Sequence, residues 1–142
     1  MAQHESFYES KTARVYYDSK LDALFLEYLR GVKNHPEFVE INSAVLEAFQ
    51  KLDTQKFVAD IRRMGIISLQ SQQWVVENLL PGMIGCLNGK TLYHAQFLDP
   101  SEVFSKVSGS NIKKKSSDEI EGFELKQFLD RESLESYLKN IH

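Results

Sequence analysis

Few side chains in this sequence have both the type and the spacing to do chemistry, and most of them fall in Lys56–Leu79, KFVADIRRMGIISLQSQQWVVENL. Asp60 and Arg62 stand two apart at the end of an apolar run, a spacing that points both to one face of a strand. They could meet a ligand or partner at the strand's end, or pair with each other or with a helix terminus. Pairing is the favoured reading, because structural ion pairs occupy such places too. Arg63 follows in a loop. With Arg62 and a helix start it would form an anion site; the plainer reading is an exposed surface arginine. Ser68 precedes a helical pattern and reads as its N-cap, its oxygen satisfying an orphan N–H. Ser71, one turn on, is solvated or shares in the first-turn capping. Either serine could be phosphorylated, since a helix start tolerates added negative charge. Trp74 reads as core packing with its indole N–H partnered; the sharper alternative places it at the rim of a ligand pocket or partner surface.

Other candidates carry weaker signals. His94 lies mid-strand between Leu92 and Gln96 and reads as a partly buried, satisfied histidine rather than a general base. No serine or cysteine has a spacing that marks it as a nucleophile for His94. The four histidines, His4, His35, His94 and His142, have no metal-ligand spacing. Gly82, Gly85 and Gly89 do not make a phosphate-cradling GxGxxG, no Walker motif is present, and no cofactor is expected. Lys113, Lys114 and Lys115 form a charge run without interleaved aromatics, best read as solvated.

The elements that must position these residues are legible from periodicity. Arg14–Tyr17 and Ala23–Leu29 read as strands joined by a turn at Asp18-Ser19-Lys20. In the second, Leu24, Leu26 and Tyr28 share one face, and Ala23, Phe25 and Leu29 share the other with Glu27. Asn34 and Glu37 are a capping pair around Pro36, which suits a first helical turn. Phe38, Ile41, Val45, Phe49 and Leu52 then form one apolar stripe. Phe57–Ile61, apolar but for Asp60, reads as a strand buried on both faces. A helix is expected over about Leu69 to Leu87, with Pro81 kinking it near Asn78–Pro81 or dividing it.

Asn88-Gly89 stops that helix, and Thr91–Leu98 is the next strand. Asp99-Pro100-Ser101-Glu102 opens a short helix. Residues 108–121 read as an exposed loop, Phe123–Leu129 as the last strand, and Asp130 as the cap of a final helix. The opening, residues 1–11, reads as a loose arm in which only Phe7 and Tyr8 are fit to pack. The fold class is thus α/β, a single domain over residues 12–142 in the order β-β-α-β-α-β-α-β-α. Alternation of strands and helices implies a mostly parallel sheet with an antiparallel hairpin at its start.

This order resembles the SpoIIAA-like family, the STAS-type domains related to anti-sigma-factor antagonists, and is closest to a stand-alone STAS/CRAL-TRIO-like branch. The likeness is carried by FVADIRRMGIIS at 57–68, QQWVVENLLPGMIGCL at 72–87, GKTLYHAQFLDP at 89–100 and FELKQFLDRESLESYL at 123–138. It implies a mixed sheet of four to five strands with helices mainly on one face, and non-enzymatic signalling work: docking to a protein or sensing a small ligand. In the classical antagonists a serine in an Asp-Ser-Ser/Thr-Gly motif opens the helix after the central strand and is phosphorylated. Here Asp60 is followed by IRRMGIISLQS without an Asp-Ser pair, so that switch does not carry over.

Composition sets the outer limits. At 142 residues, 42% hydrophobic and 26% charged, the chain is ordinary for a globular domain. A chain of this length buries roughly 68–70% of the surface its unfolded form exposes, so it needs no metal or disulfide to hold it. A net charge of −3 is too mild to argue for nucleic acid or an anionic membrane, and no nucleic-acid partner is expected; no apolar run is long enough for a membrane span. The one cysteine, Cys86, and the lack of an apolar leader fit a reducing, cytoplasmic setting. The expected partner is a protein, with a small anion or an apolar ligand as the alternative of a CRAL-TRIO-like carrier, and a cryptic hydrolase using Asp60, His94 or Ser68 as the third reading. A homodimer is compatible with the first.

Overall fold

The computed structural model describes residues 4–99 and 122–141. The helix expected after Asp99, the loop over 108–121 and the lysine run lie outside them. Six strands form one mixed sheet in the order β1-β2-β3-β4-β5-β6: β1 His4–Glu9, β2 Ala13–Asp18, β3 Ala23–Tyr28, β4 Lys56–Asp60, β5 Leu92–Phe97 and β6 Phe123–Phe128. The first three run antiparallel and the last four parallel. The α/β class and the hairpin start are as expected, but six strands replace four to five.

The added strand is β1, which takes up the segment expected as a loose arm. Its polar sequence hides it, and so does a bulge between Ser6 and Tyr8. Side chains alternate along a regular strand, but the extra residue of a bulge breaks that alternation. Phe7 and Tyr8, neighbours in sequence, therefore both pack against the same core. At the next connection Asp18 Oδ1 accepts from the N–H groups of Lys20 and Leu21, at 2.9 and 3.2 Å, and closes the turn.

The alternation read from the sequence sorts side chains to two faces. Leu24, Leu26, Tyr28, Phe57, Ala59 and Leu92 join the larger core under helix α1, His35–Gln50. Phe38, Ile41, Val45 and Phe49 are buried along that helix. Its start is fixed by Asn34 Oδ1, which accepts from Glu37 N at 2.9 Å, while Glu37 Oε1 accepts from Lys33 N at 2.7 Å. The smaller core gathers Ala23, Phe25, Val58, Ala95 and Phe97 under helix α4, Arg131–Lys139, through Leu134 and Leu138. Asp130 caps α4 by accepting from Ser133 N at 2.8 Å. Helices thus cover both faces, with most of the helical residues on the larger core.

The segment around Pro81 is one winding with a change of pitch: α2 Leu69–Trp74, a π segment Val75–Leu79 and α3 Leu80–Gly85. Leu80 N–H bonds to Val75 O, five residues back. A proline lacks an N–H and crowds the carbonyl four residues before it, and local widening relieves that crowding. The expected break is thus a π segment. Gly82 farther along lets α3 lie close to α1: a Cβ there would come within 2.9 Å of the Leu46 methyl groups, which would have to turn aside.

Candidate functional site

Asp60, Arg62, Arg63, Ser68, Ser71 and Trp74 all lie at or beyond the carboxyl end of β4, the end where open α/β sheets usually meet ligands; His94 lies within β5, opposite Phe57. Registry places Glu27 of β3, Asp60 of β4, Phe97 of β5 and Phe128 of β6 side by side. Two carboxylates on adjacent strands repel each other, and each has its own arginine. Arg14 Nε lies 2.6 Å from Glu27 Oε1. Arg62 grips the buried Asp60 with both arms of its fork, Nε to Oδ1 at 2.9 Å and Nη2 to Oδ2 at 2.7 Å. Its guanidinium lies 4.1 Å from the centroid of Phe97. Hydrogen bonding to Asp60 strengthens the guanidinium's hold on its proton. Asp60 and Arg62 are therefore partners of each other, as the favoured reading had it.

Beyond the pair the chain turns through Met64, whose N–H bonds to Ile61 O at 3.2 Å, and through Gly65 at a left-handed φ of 73°. Met64 and Ile67 point into the core; Arg63 and Ile66 point out. Ser68 caps α2 as expected, its Oγ accepting from Ser71 N at 3.0 Å. The Ser68 hydroxyl also donates to Ser71 Oγ at 3.1 Å, and Ser71 Oγ lies 2.9 Å from Nδ1 of His35. Giving each hydroxyl hydrogen its own acceptor runs the chain Ser68 to Ser71 to His35 and leaves the imidazole proton on Nε2.

Ser71 is buried at 2% exposure, whereas Ser68 is exposed. Ser71 and His35 stand at hydrogen-bonding distance, as a nucleophile and base would. Yet the buried hydroxyl is shared between Ser68 and His35, so it works as a brace between the starts of α1 and α2. Trp74 is half-buried at the edge of the larger core, between the two readings given for it.

Sequence reasoning missed His35, because its contact spans 36 residues and depends on two helix starts meeting in space. It also missed Lys56 at the opposite end of β4. That lysine is 8% exposed, and its Nζ donates to Leu21 O at 3.1 Å and to Leu138 O at 2.7 Å. Gln72 was not singled out either. It is buried, its Nε2 donates to Ile67 O at 3.2 Å, and its Oε1 is the one buried side-chain acceptor without a partner among the described residues.

Besides an open hollow of about 350 Å³ on α4, lined by Glu132, Glu135 and Lys139, three spaces adjoin the residues described above. Inside the larger core a cavity of about 30 Å³ is lined by Tyr28, Asn42, His94 and Gln96 among apolar side chains, room for a water or two. Asn42 Nδ2 donates to Tyr28 Oη at 3.2 Å, and burial pushes that phenol up. His94 stacks on Phe57 with Nδ1 3.2 Å from Phe57 O, and burial lowers its pKa to about 4. At the amino ends of β4 and β5 a polar cleft of about 290 Å³ is lined by Asp22, Asp53, Lys56 and Lys90. Beside Ser68 a shallow hollow of about 190 Å³ lies between two loops, lined by Lys33, His35, Ile66, Ser68 and Ser71.

Among the described residues no group of three or more His, Cys, Asp or Glu is placed to hold a metal, and no helix is long and apolar enough to cross a membrane. Comparisons of the chain with protein-family models, with curated proteins and with solved structures find no match.

Proposed function

We propose that this protein is a non-enzymatic STAS-like regulatory module that docks another protein on the surface running from Arg62 to Trp74. The observation that carries this reading is the pair Ile66 and Leu69, exposed at 62% and 70% on a segment braced from both ends. Large apolar side chains held out on an ordered loop mark contact surfaces when they cluster. The brace through Ser68, Ser71 and His35 fixes one end of the segment, and the Asp60–Arg62 pair fixes the other. Both keep the anchors presented rather than folded inward, which lowers the ordering cost of binding.

The docking reading is favoured over a lipid or apolar-ligand carrier by the size of the core cavity. At about 30 Å³ it is roughly a tenth of the ~300 Å³ at which small-molecule pockets begin. It is favoured over a hydrolase by the burial of Ser71 and by the engagement of Asp60 with Arg62.

Affinity capture from the native cell, with the wild-type chain compared against Ile66→Ser/Leu69→Ser, tests the proposal. A partner retained by wild type and by a Lys90→Glu control at the other end of the sheet, but lost by the double variant, is the expected outcome. Capture that is unchanged in the double variant overturns it.

A further inference from the structure

The two loops that frame the hollow beside Ser68 share a charge as well as a place. They run close together: a Cβ added at Gly31 would lie 3.6 Å from Met64 O. Residues 29–36, LRGVKNHP, hold Arg30 and Lys33 and no acid; residues 61–76 hold Arg62 and Arg63 and no acid. Arg62 is spent on Asp60; Arg30, Lys33 and Arg63 are exposed, Arg30 with its Nε donating to Thr12 Oγ1 at 3.1 Å. Glu37 borders this group, and its carboxylate is taken up by Lys33 N at 2.7 Å and Thr12 Oγ1 at 3.0 Å. On a chain of net charge −3 this rim is therefore locally cationic around two exposed apolar anchors.

Resting on the docking reading, we infer that the occupant of this rim is an acidic, amphipathic protein segment. It sets apolar side chains against Ile66 and Leu69 and one into the adjoining hollow, with carboxylates facing Arg30, Lys33 and Arg63. Complementary charge at a rim fixes register and speeds encounter, while the apolar anchors supply most of the affinity. The hollow, about 190 Å³, suits one or two side chains rather than a whole small molecule. Three cations make a small footprint for nucleic acid, whose affinity is dominated by contacts to the phosphate backbone. They are also too few for an anionic bilayer, where the readable signature is a cluster of roughly four to eight basic residues.

The test is a titration with a synthetic helical peptide bearing leucines at i and i+4 flanked by glutamates. It is compared with the same peptide carrying lysines for glutamates, and with phosphatidylserine-containing vesicles. The single tryptophan, Trp74, half-buried at the end of α2, reports binding by fluorescence, and backbone amide shifts report its place. The acidic peptide is expected to shift amides of residues 30–35 and 62–74 and to weaken about tenfold between ~0.05 and ~0.5 M salt. Lys33→Glu/Arg63→Glu, a change at two exposed positions, is expected to reverse the preference so that the basic peptide binds instead.

Equal binding of both peptides, a wild-type preference for the basic peptide or the vesicles, or no binding of the acidic peptide overturns the inference. The docking reading falls separately, if Ile66→Ser/Leu69→Ser leaves partner capture unchanged.

Discussion

At the start of β4, Lys56 Nζ is held by two main-chain carbonyls, Leu21 O in the β2–β3 turn and Leu138 O in the last turn of α4. At its end, Asp60 is held by Arg62, through a side chain that is 41% exposed and grips both carboxylate oxygens, with the Arg62 main-chain N–H donating to Oδ1 at a longer 3.3 Å. Both charges are buried, but the partners differ in kind. Main-chain carbonyls cannot swing away, so Lys56 ties three elements together, and its charge also favours the negative end of α4. Arg62 can trade Asp60 for water. The amino end of the strand is thus scaffold, and the carboxyl end is a surface built of side chains. A binding segment fits the second, where exposed Ile66 and Leu69 lie beyond the pair.

The sharpest way to break this contrast is at Lys56. Lys56→Ala leaves two carbonyls without their donor and opens a void, and it is expected to cost about 3 kcal/mol in urea unfolding. A loss under ~1 kcal/mol would mean that water replaces the ammonium and that this end is no more rigid than the other.

Between the two ends His94 provides a pH gauge of the shared core. Its folded pKa of about 4 lies below the ordinary value near 6.5, so the unfolded chain takes up a proton before the folded one does. Its contribution is fully present above pH ~6.5 and is lost as pH falls to about 4, amounting to about 3 kcal/mol over that window and about 2 between pH 7 and pH 5. His94→Gln should flatten that part of the profile; an unchanged slope would assign it to other groups.

At the carboxyl end the two halves of the pair should be unequal. Arg62→Ala strands a buried Asp60 beside Glu27 and is expected to cost about 2 kcal/mol. Asp60→Asn leaves an arginine that rehydrates and is expected to cost about 1 kcal/mol. Equal costs at Asp60 and Lys56 would erase the distinction between the ends. Smallest of all, Ile66→Ser and Leu69→Ser should each move stability by less than about 0.5 kcal/mol, as exposed positions do, while removing the proposed interaction.

What could be read from the sequence follows the reach of each interaction. The phases of β3 and β5, the Asn34 and Asp130 caps and the Ser68 cap all rest on residues within a few positions of one another. So does the Asp60–Arg62 pair, whose spacing of two decides that both side chains meet. β1 escaped because its side chains are mostly polar and its bulge spoils the alternation on which strand recognition depends. The π segment escaped because a proline announces a disturbance without saying how the helix absorbs it. Lys56 and Leu138 are 82 residues apart, and only the completed sheet brings them together. His35 meets Ser71 for the same reason. Ile66 and Leu69 are ordinary in a sequence; their exposure beside the Ser68–Ser71–His35 brace shows only in the folded chain.

The most direct test places a photo-crosslinking amino acid at position 66 and, in a separate protein, at position 90, and exposes both in the native cell. The docking account predicts a discrete adduct from position 66 that disappears with Leu69→Ser, and none from position 90. An adduct from position 90 alone, or one from position 66 that survives Leu69→Ser, would contradict it.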